Sequence, residues 1–181
     1  MATTVKNPGY TGTAKTLHWL ILFLLIGQFT VAWTMPHIGR NTVPETLINL
    51  HFSIGVIILA VAIVRLIWRA THGEPTPLDG VPPWQTATAR IVHWLLYLLV
   101  FATTVSGWLF ASARGWKVSW FFLAPLPMLT AGSQPLVRKL DGWHQDFEWA
   151  LLILIGFHVA SAFLHLIYYR DRVMRRMLPQ L

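Results

Sequence analysis

Cysteine is absent from the 181-residue chain. That removes disulfides, thiolate-held iron–sulfur clusters, c-type haem attachment and cysteine nucleophiles together. Charge is scarce as well. Charged residues make up 12% of the chain, about half the share of a soluble domain. Acids are the scarcest group: Glu45, Glu74, Asp79, Asp141, Asp146, Glu148 and Asp171 are all there are, and all read as lying outside the apolar cores. Hard cations want carboxylates and waters, so a hard-metal site is disfavoured. A proton or cation transporter driven by intramembrane carboxylates is disfavoured for the same reason.

Apolar sequence is what the chain has in quantity. Hydrophobic residues reach 55% and the mean hydropathy is +0.52. A bilayer crossing takes roughly 20 residues, and four stretches qualify: Leu17–Met35, Leu47–Trp68, Ile91–Ala111 and Trp149–Tyr169. The expected fold is all-α, a single integral membrane four-helix bundle over 1–181. The first apolar run is longer than a signal-peptide core and no small-x-small site follows it, so it reads as a span. Tryptophans cluster near span ends (Trp19, Trp33, Trp68, Trp94, Trp108, Trp149), as an interfacial belt requires.

The basic residues set an orientation. Nine of the 14 fall on one side: Lys6, Lys15, Arg65, Arg69, Arg90, Arg170, Arg172, Arg175 and Arg176. The other five are Arg40, Arg114, Lys117, Arg138 and Lys139. The positive-inside rule then puts both termini in the cytoplasm. The second connection, Thr71 to Pro83, is proline-rich and reads as extended. The third, roughly Ser112 to Trp143, is the longest. Its aromatic stretch Trp116–Leu129, broken by Pro125 and Pro127, reads as an interfacial segment on the outer surface.

Histidines carry the chemistry. His144 and His158 lie fourteen residues apart on the fourth span, nearly four helical turns, so both face one way about 21 Å apart along the axis. Each span also opens near a histidine: His18, His51, His93 and His144. A single histidine at a helix end is more often interfacial than ligating. Histidines at paired depths, two of them in phase on one helix, suit axial ligands of two stacked haems. His51 is level with His144 at the outer side. His158 needs a partner at the inner level, and by depth either His18 or His93 serves. Met35 is a weaker alternative ligand. His37 and His72 read as solvated. Arg65, fourteen residues after His51, falls level with the inner haem, either as a snorkelling cation or as a propionate contact. His165, seven residues past His158, reads as a propionate or neighbouring contact at the inner rim.

On these residues the chain resembles the bacterial cytochrome b561 family of dihaem four-helix membrane proteins, related to the cytochrome b subunits of nickel–iron hydrogenases. The likeness runs through Lys15-Thr-Leu-His18-Trp, Asn49-Leu-His51-Phe-Ser-Ile-Gly55 and Arg90-Ile-Val-His93-Trp-Leu-Leu-Tyr. It continues from Trp143-His144 to Gly156-Phe-His158 and His165. The resemblance implies two haem b groups with ligand pairs His18–His158 and His51–His144, leaving His93 a non-ligand near the inner haem or a quinone. It implies residence in the bacterial inner membrane and ubiquinone as bound acceptor.

The leading expectation is superoxide oxidation at the outer face coupled to quinone reduction. Arg114, Lys117, Arg138 and Lys139 would form a basic mouth that concentrates the anion, or serve as ordinary loop charge near lipid phosphates. The alternative is a cytochrome b subunit relaying electrons between a dehydrogenase, hydrogenase or soluble cytochrome and the quinone pool. A non-redox membrane scaffold or transporter is the third reading. Membrane lipid is an expected partner and nucleic acid is not.

Overall fold

The structure is a computed structural model that describes residues 9–78, 80–121 and 123–178. Lys6 and Asp79, used above, lie outside the described residues. Four helices carry the fold: α1 (Gly12–Thr34), α2 (Thr46–His72), α3 (Pro83–Ala113) and α4 (Gln134–Leu164). All four are long and apolar enough to cross a membrane, so the chain is a multi-pass membrane protein.

Their ends follow from local sequence. The Thr11 hydroxyl accepts the Ala14 N–H at 3.2 Å, capping α1. That helix stops at Met35, whose extended backbone suits the residue before a proline. Pro83 opens α3 at its first position, where a missing N–H costs nothing. Gly73 closes α2 with φ +70°, a conformation that glycine adopts freely. α4 runs on into a π-helical turn, His165–Tyr169.

The helices outrun the apolar stretches. α3 begins at Pro83 rather than near Ile91, and α4 begins at Gln134 rather than near Trp149. Hydropathy marks only the apolar part of a helix, while the first turns of α4 carry Arg138, Lys139 and Asp141. Arg138 and Lys139 therefore stand on a helix and not in a connection. Glu148 lies on α4 one turn past His144 and is half-buried.

The third connection does more than lie on a surface. It forms a two-stranded hairpin, β1 (Ser119–Trp120) against β2 (Ala124–Pro125). Trp116 and Val118 are buried with Ile48, Phe110 and Val137. Ser53, fully buried on α2, donates to the Asn49 carbonyl at 2.8 Å and accepts the Phe121 N–H at 3.0 Å. One hydroxyl thus ties the hairpin to the helix that carries His51.

The two ends of the bundle are distinct. At the connection end lie the α1–α2 and α3–α4 connections. At the terminal end the first and last described segments meet: Lys15 Nζ donates to the Leu178 carbonyl at 3.0 Å and Trp19 Nε1 to the Met177 carbonyl at 2.9 Å. Between them sits an apolar layer of Ile58, Ala62, Val100 and Leu151. Leu151 is midway between His144 and His158 in sequence, so this dry layer separates the two histidine levels.

Candidate functional site

At the connection end, His51 of α2 faces His144 of α4. Their ring centroids are 6.2 Å apart and their planes cross at 85°. His144 is held firmly. Its Nδ1–H donates to the Thr103 carbonyl at 2.9 Å, with Ser106 Oγ at 3.4 Å. That leaves Nε2 with a free lone pair, the arrangement in which a ligating histidine is oriented by a carbonyl partner. α3 comes close enough for this because residue 107 is glycine. A Cβ there would lie 2.8 Å from His144 Cε1, a clash that only a shifted ring would relieve.

His51 is held by a side chain that the sequence reading missed. Gln28 Nε2 on α1 lies 3.2 Å from His51 Nε2. The His51 Nδ1 and Gln28 Oε1 atoms are buried with no hydrogen-bond partner among the described residues. A lone amide inside an apolar span was the available signal.

At the terminal end, His18 of α1 faces His158 of α4 with centroids 6.2 Å apart and planes crossing at 75°. His93 of α3 also reaches His158, at 5.4 Å and 68°. All three rings lie within the electrostatic reach of Arg65. Arg65 Nε donates to Tyr97 Oη at 2.9 Å, and its Nη1 is buried with no hydrogen-bond partner among the described residues.

The separations test whether a haem fits. Each imidazole nitrogen sits about 2.0–2.1 Å from a first-row metal, and its ring centre about 1.1 Å further back, so two axial imidazoles have centroids about 6.3 Å apart. His51–His144 and His18–His158 meet that spacing, and His93–His158 falls short of it. Among the described residues no cluster of three or more histidine, cysteine, aspartate or glutamate side chains could hold a bare metal ion. Haem needs only two protein ligands because its porphyrin supplies four nitrogens. Neutral imidazoles in apolar surroundings, paired at this distance, fit the group.

His165 stands apart from these pairs. It is buried in the π turn, with Nδ1 2.5 Å from Asp171 Oδ2 and its ring 5.2 Å from that of Tyr169. The four expected cations of the basic mouth also divide. Arg114 is committed: its guanidinium donates to the carbonyls of Gly39 at 2.7 Å and Arg40 at 3.2 Å and lies over the Trp116 ring at 4.4 Å. Lys117, Arg138 and Lys139 are exposed, with Lys139 Nζ over the Trp143 ring at 4.7 Å.

The family model described as prokaryotic cytochrome b561 matches residues 9–180. Among curated relatives, "Cytochrome b561 homolog 2" of Escherichia coli (strain K12) is 30% identical over 177 residues, covering 93% of this chain and 90% of that protein. "Probable superoxide oxidase CybB" of Yersinia pestis is 27% identical, covering 91% of this chain and 92% of that protein. "Cytochrome b562" of Cereibacter sphaeroides is 27% identical, with 96% and 97% covered.

Proposed function

The chain belongs to the prokaryotic cytochrome b561 family, and on that footing we propose that it carries two b-type haems in series. One would be held by His51 and His144, the other by His18 and His158. Family membership itself makes the chain a membrane electron-transfer protein with b-type haem, and it removes the scaffold and transporter readings. The two-haem reading rests on one observation above all: two histidine pairs with the same 6.2 Å separation, at two levels of α4 separated by a dry apolar layer.

Bound haem would supply a reversible one-electron couple, and the protein supplies position, burial and tuning. Held by two histidines, each haem would supply electron transfer rather than oxygen binding. The Thr103 carbonyl fixes the tautomer of His144, and Gly107 gives its ring room.

In this reading both termini are cytoplasmic, the membrane is the bacterial inner membrane, and the connection end faces out. Superoxide is the favoured donor there. Each superoxide gives up one electron and leaves as dioxygen. Two such electrons, with two protons, convert a ubiquinone near the terminal end to its quinol. The name of the Yersinia relative supports this, as do the exposed Lys117, Arg138 and Lys139 at the receiving end, since a cationic mouth raises the local concentration of an anion. His165, seven residues past His158 and hydrogen-bonded to Asp171, borders the quinone side in this reading. Arg65, with its unpartnered Nη1, is suited to a haem propionate.

A second reading has its own observation. The hairpin exposes Trp120, Phe121 and Leu123, which offers a docking surface for a dehydrogenase, hydrogenase or soluble cytochrome that would deliver electrons in place of superoxide.

The test is a reduced-minus-oxidised spectrum of the detergent-purified protein with its haem-to-protein ratio, followed by superoxide addition with quinone present. Two b-type haems per chain that superoxide reduces and quinone reoxidises are expected. Two haems inert to superoxide would shift the conclusion to the partner-fed subunit. One haem or none would overturn the ligand assignment.

A further inference from the structure

Arg65 is the charged side chain within electrostatic reach of all three terminal-end histidines, and its environment is unusual. It sits on α2 at intramembrane depth, fourteen residues past His51. A charge at such depth costs several kcal/mol unless it is paired or wetted. Nη1 is buried with no partner among the described residues. The nearby acid, Glu74, is already ion-paired to Arg69. Arg65 Nε donates instead to the Tyr97 hydroxyl, 2.9 Å away.

Tyr97 is itself held from a second side. The Arg69 guanidinium lies 5.6 Å from the centre of the Tyr97 ring and 4.9 Å from that of Trp94, within the range of a cation–π contact. Glu74 fixes Arg69 from outside. The chain of contacts therefore runs from Glu74 to Arg69, across the Tyr97 ring, and through its hydroxyl to Arg65. Guanidinium is a planar fork. Anchoring its Nε at the Tyr97 oxygen fixes the plane and so fixes where the Nη1 hydrogens point.

We propose that Tyr97 is a positioning residue that aims Arg65 at a carboxylate on the haem between His18 and His158, completing an anion seat built from α2 and α3. The proposal rests on the two-haem reading. Arg65 alone, on a long flexible stem, would reach the same region with many geometries. The Tyr97 hydroxyl selects one. The consequence is electrical: a fixed cation beside this haem favours its reduced form, so anything that loosens Arg65 lowers the potential of that centre and leaves the other centre alone.

The experiment is a spectroscopic redox titration of the purified holoprotein with the two haems resolved, alongside the haem-to-protein ratio. Tyr97→Phe removes one oxygen and keeps the ring. Two haems are expected to remain, with the potential of the His18–His158 centre lowered and that of the His51–His144 centre unchanged. Arg65→Gln is expected to lower the same centre further, and the double variant to match Arg65→Gln alone, because Tyr97 acts through Arg65. Arg65→Lys, which keeps the charge and loses the fork, stands in if Arg65→Gln does not fold. It should lower that centre less than Arg65→Gln, and Tyr97→Phe should add nothing to it.

A Tyr97→Phe protein with both potentials unchanged, or effects that add in full, would overturn the positioning role. Unchanged potentials in the Arg65 variants, with loss of co-purifying anionic lipid, would give the seat to a phosphate headgroup and overturn the proposal while sparing the two-haem reading. Wild-type protein with fewer than two haems would sink both.

Discussion

The two histidine pairs have the same separation and opposite surroundings. At the connection end, His144 is oriented by a backbone carbonyl, backed by a glycine and a serine, and faced by a histidine held by a neutral amide. The charge within reach of His144 is negative, the Asp141 carboxylate less than one turn before it on α4. At the terminal end, a third histidine joins the pair and the charge within reach is positive, Arg65. Charge beside the ligands is one of the protein's levers on a haem potential. With haem held at both pairs as proposed, an anion beside the first would favour its oxidised form and a cation beside the second its reduced form. In the two-haem reading proposed above, identical ligands would become unequal centres, the terminal-end one being the easier to reduce.

The comparison breaks most completely if one pair is removed. His144→Ala is expected to lose the connection-end haem and retain most of the other, taking the ratio from two haems per chain towards one. His158→Ala should do the reverse. Spectra of both variants check this, and loss of neither haem in either variant would end the ligand assignment.

A smaller and more local break comes from Gly107→Ala. The new Cβ would stand 2.8 Å from His144 Cε1 and 3.1 Å from Nδ1, the nitrogen held by the Thr103 carbonyl one turn before residue 107 on α3. Overpacking of this kind costs about 1–3 kcal/mol. Weakened haem retention at the connection end is expected, with the terminal-end centre untouched. Gly156→Ala on α4 is the control, because nothing lies within 4 Å of its Cβ position. Equal effects from the two substitutions would mean that helix packing in general, and not the His144 ring, needs the glycine.

Asp141→Asn sharpens the comparison without breaking it. The ligands stay, so both haems should be retained. The connection-end potential should rise, the opposite sign from the Tyr97 and Arg65 variants at the other end. A redox titration in which Asp141→Asn moves neither centre would remove the carboxylate from the account of their inequality.

Much of this contrast was legible in the sequence, and for a physical reason. A fourteen-residue interval is a helical invariant, so His144 and His158 declared their shared face and their spacing before any fold was known. The same arithmetic put Arg65 beside the terminal-end pair. Depth could not separate His18 from His93, because the two sit at nearly the same level on different helices and only the lateral packing tells 6.2 Å from 5.4 Å. The start of α4 was hidden because hydropathy is blind to the polar first turns of a helix. The Thr103 carbonyl was illegible outright, since every residue has one. Gln28 was legible and passed over: an amide within an apolar span needs a partner as much as a histidine does.

The smallest expected effect concerns the surface that meets the donor. Arg114, Lys117, Arg138 and Lys139 look alike in sequence, yet Arg114 is tied to the Gly39 and Arg40 carbonyls and to Trp116. The others stand free in solvent or beside a ring. Steering depends on charges that face the approaching anion and is screened by salt over about 8 Å at physiological ionic strength. Charge reversal at Arg138 and Lys139 should therefore slow superoxide oxidation at low salt and flatten its salt dependence, with both haems and both potentials retained. Arg114→Gln should instead cost stability through the lost carbonyl contacts, about 1–3 kcal/mol, and leave the salt dependence intact. Stopped-flow rates against ionic strength separate the two. If Arg114→Gln flattened the salt dependence and the Arg138–Lys139 reversal did not, the steering surface would lie on the α1–α2 connection and not on the first turns of α4.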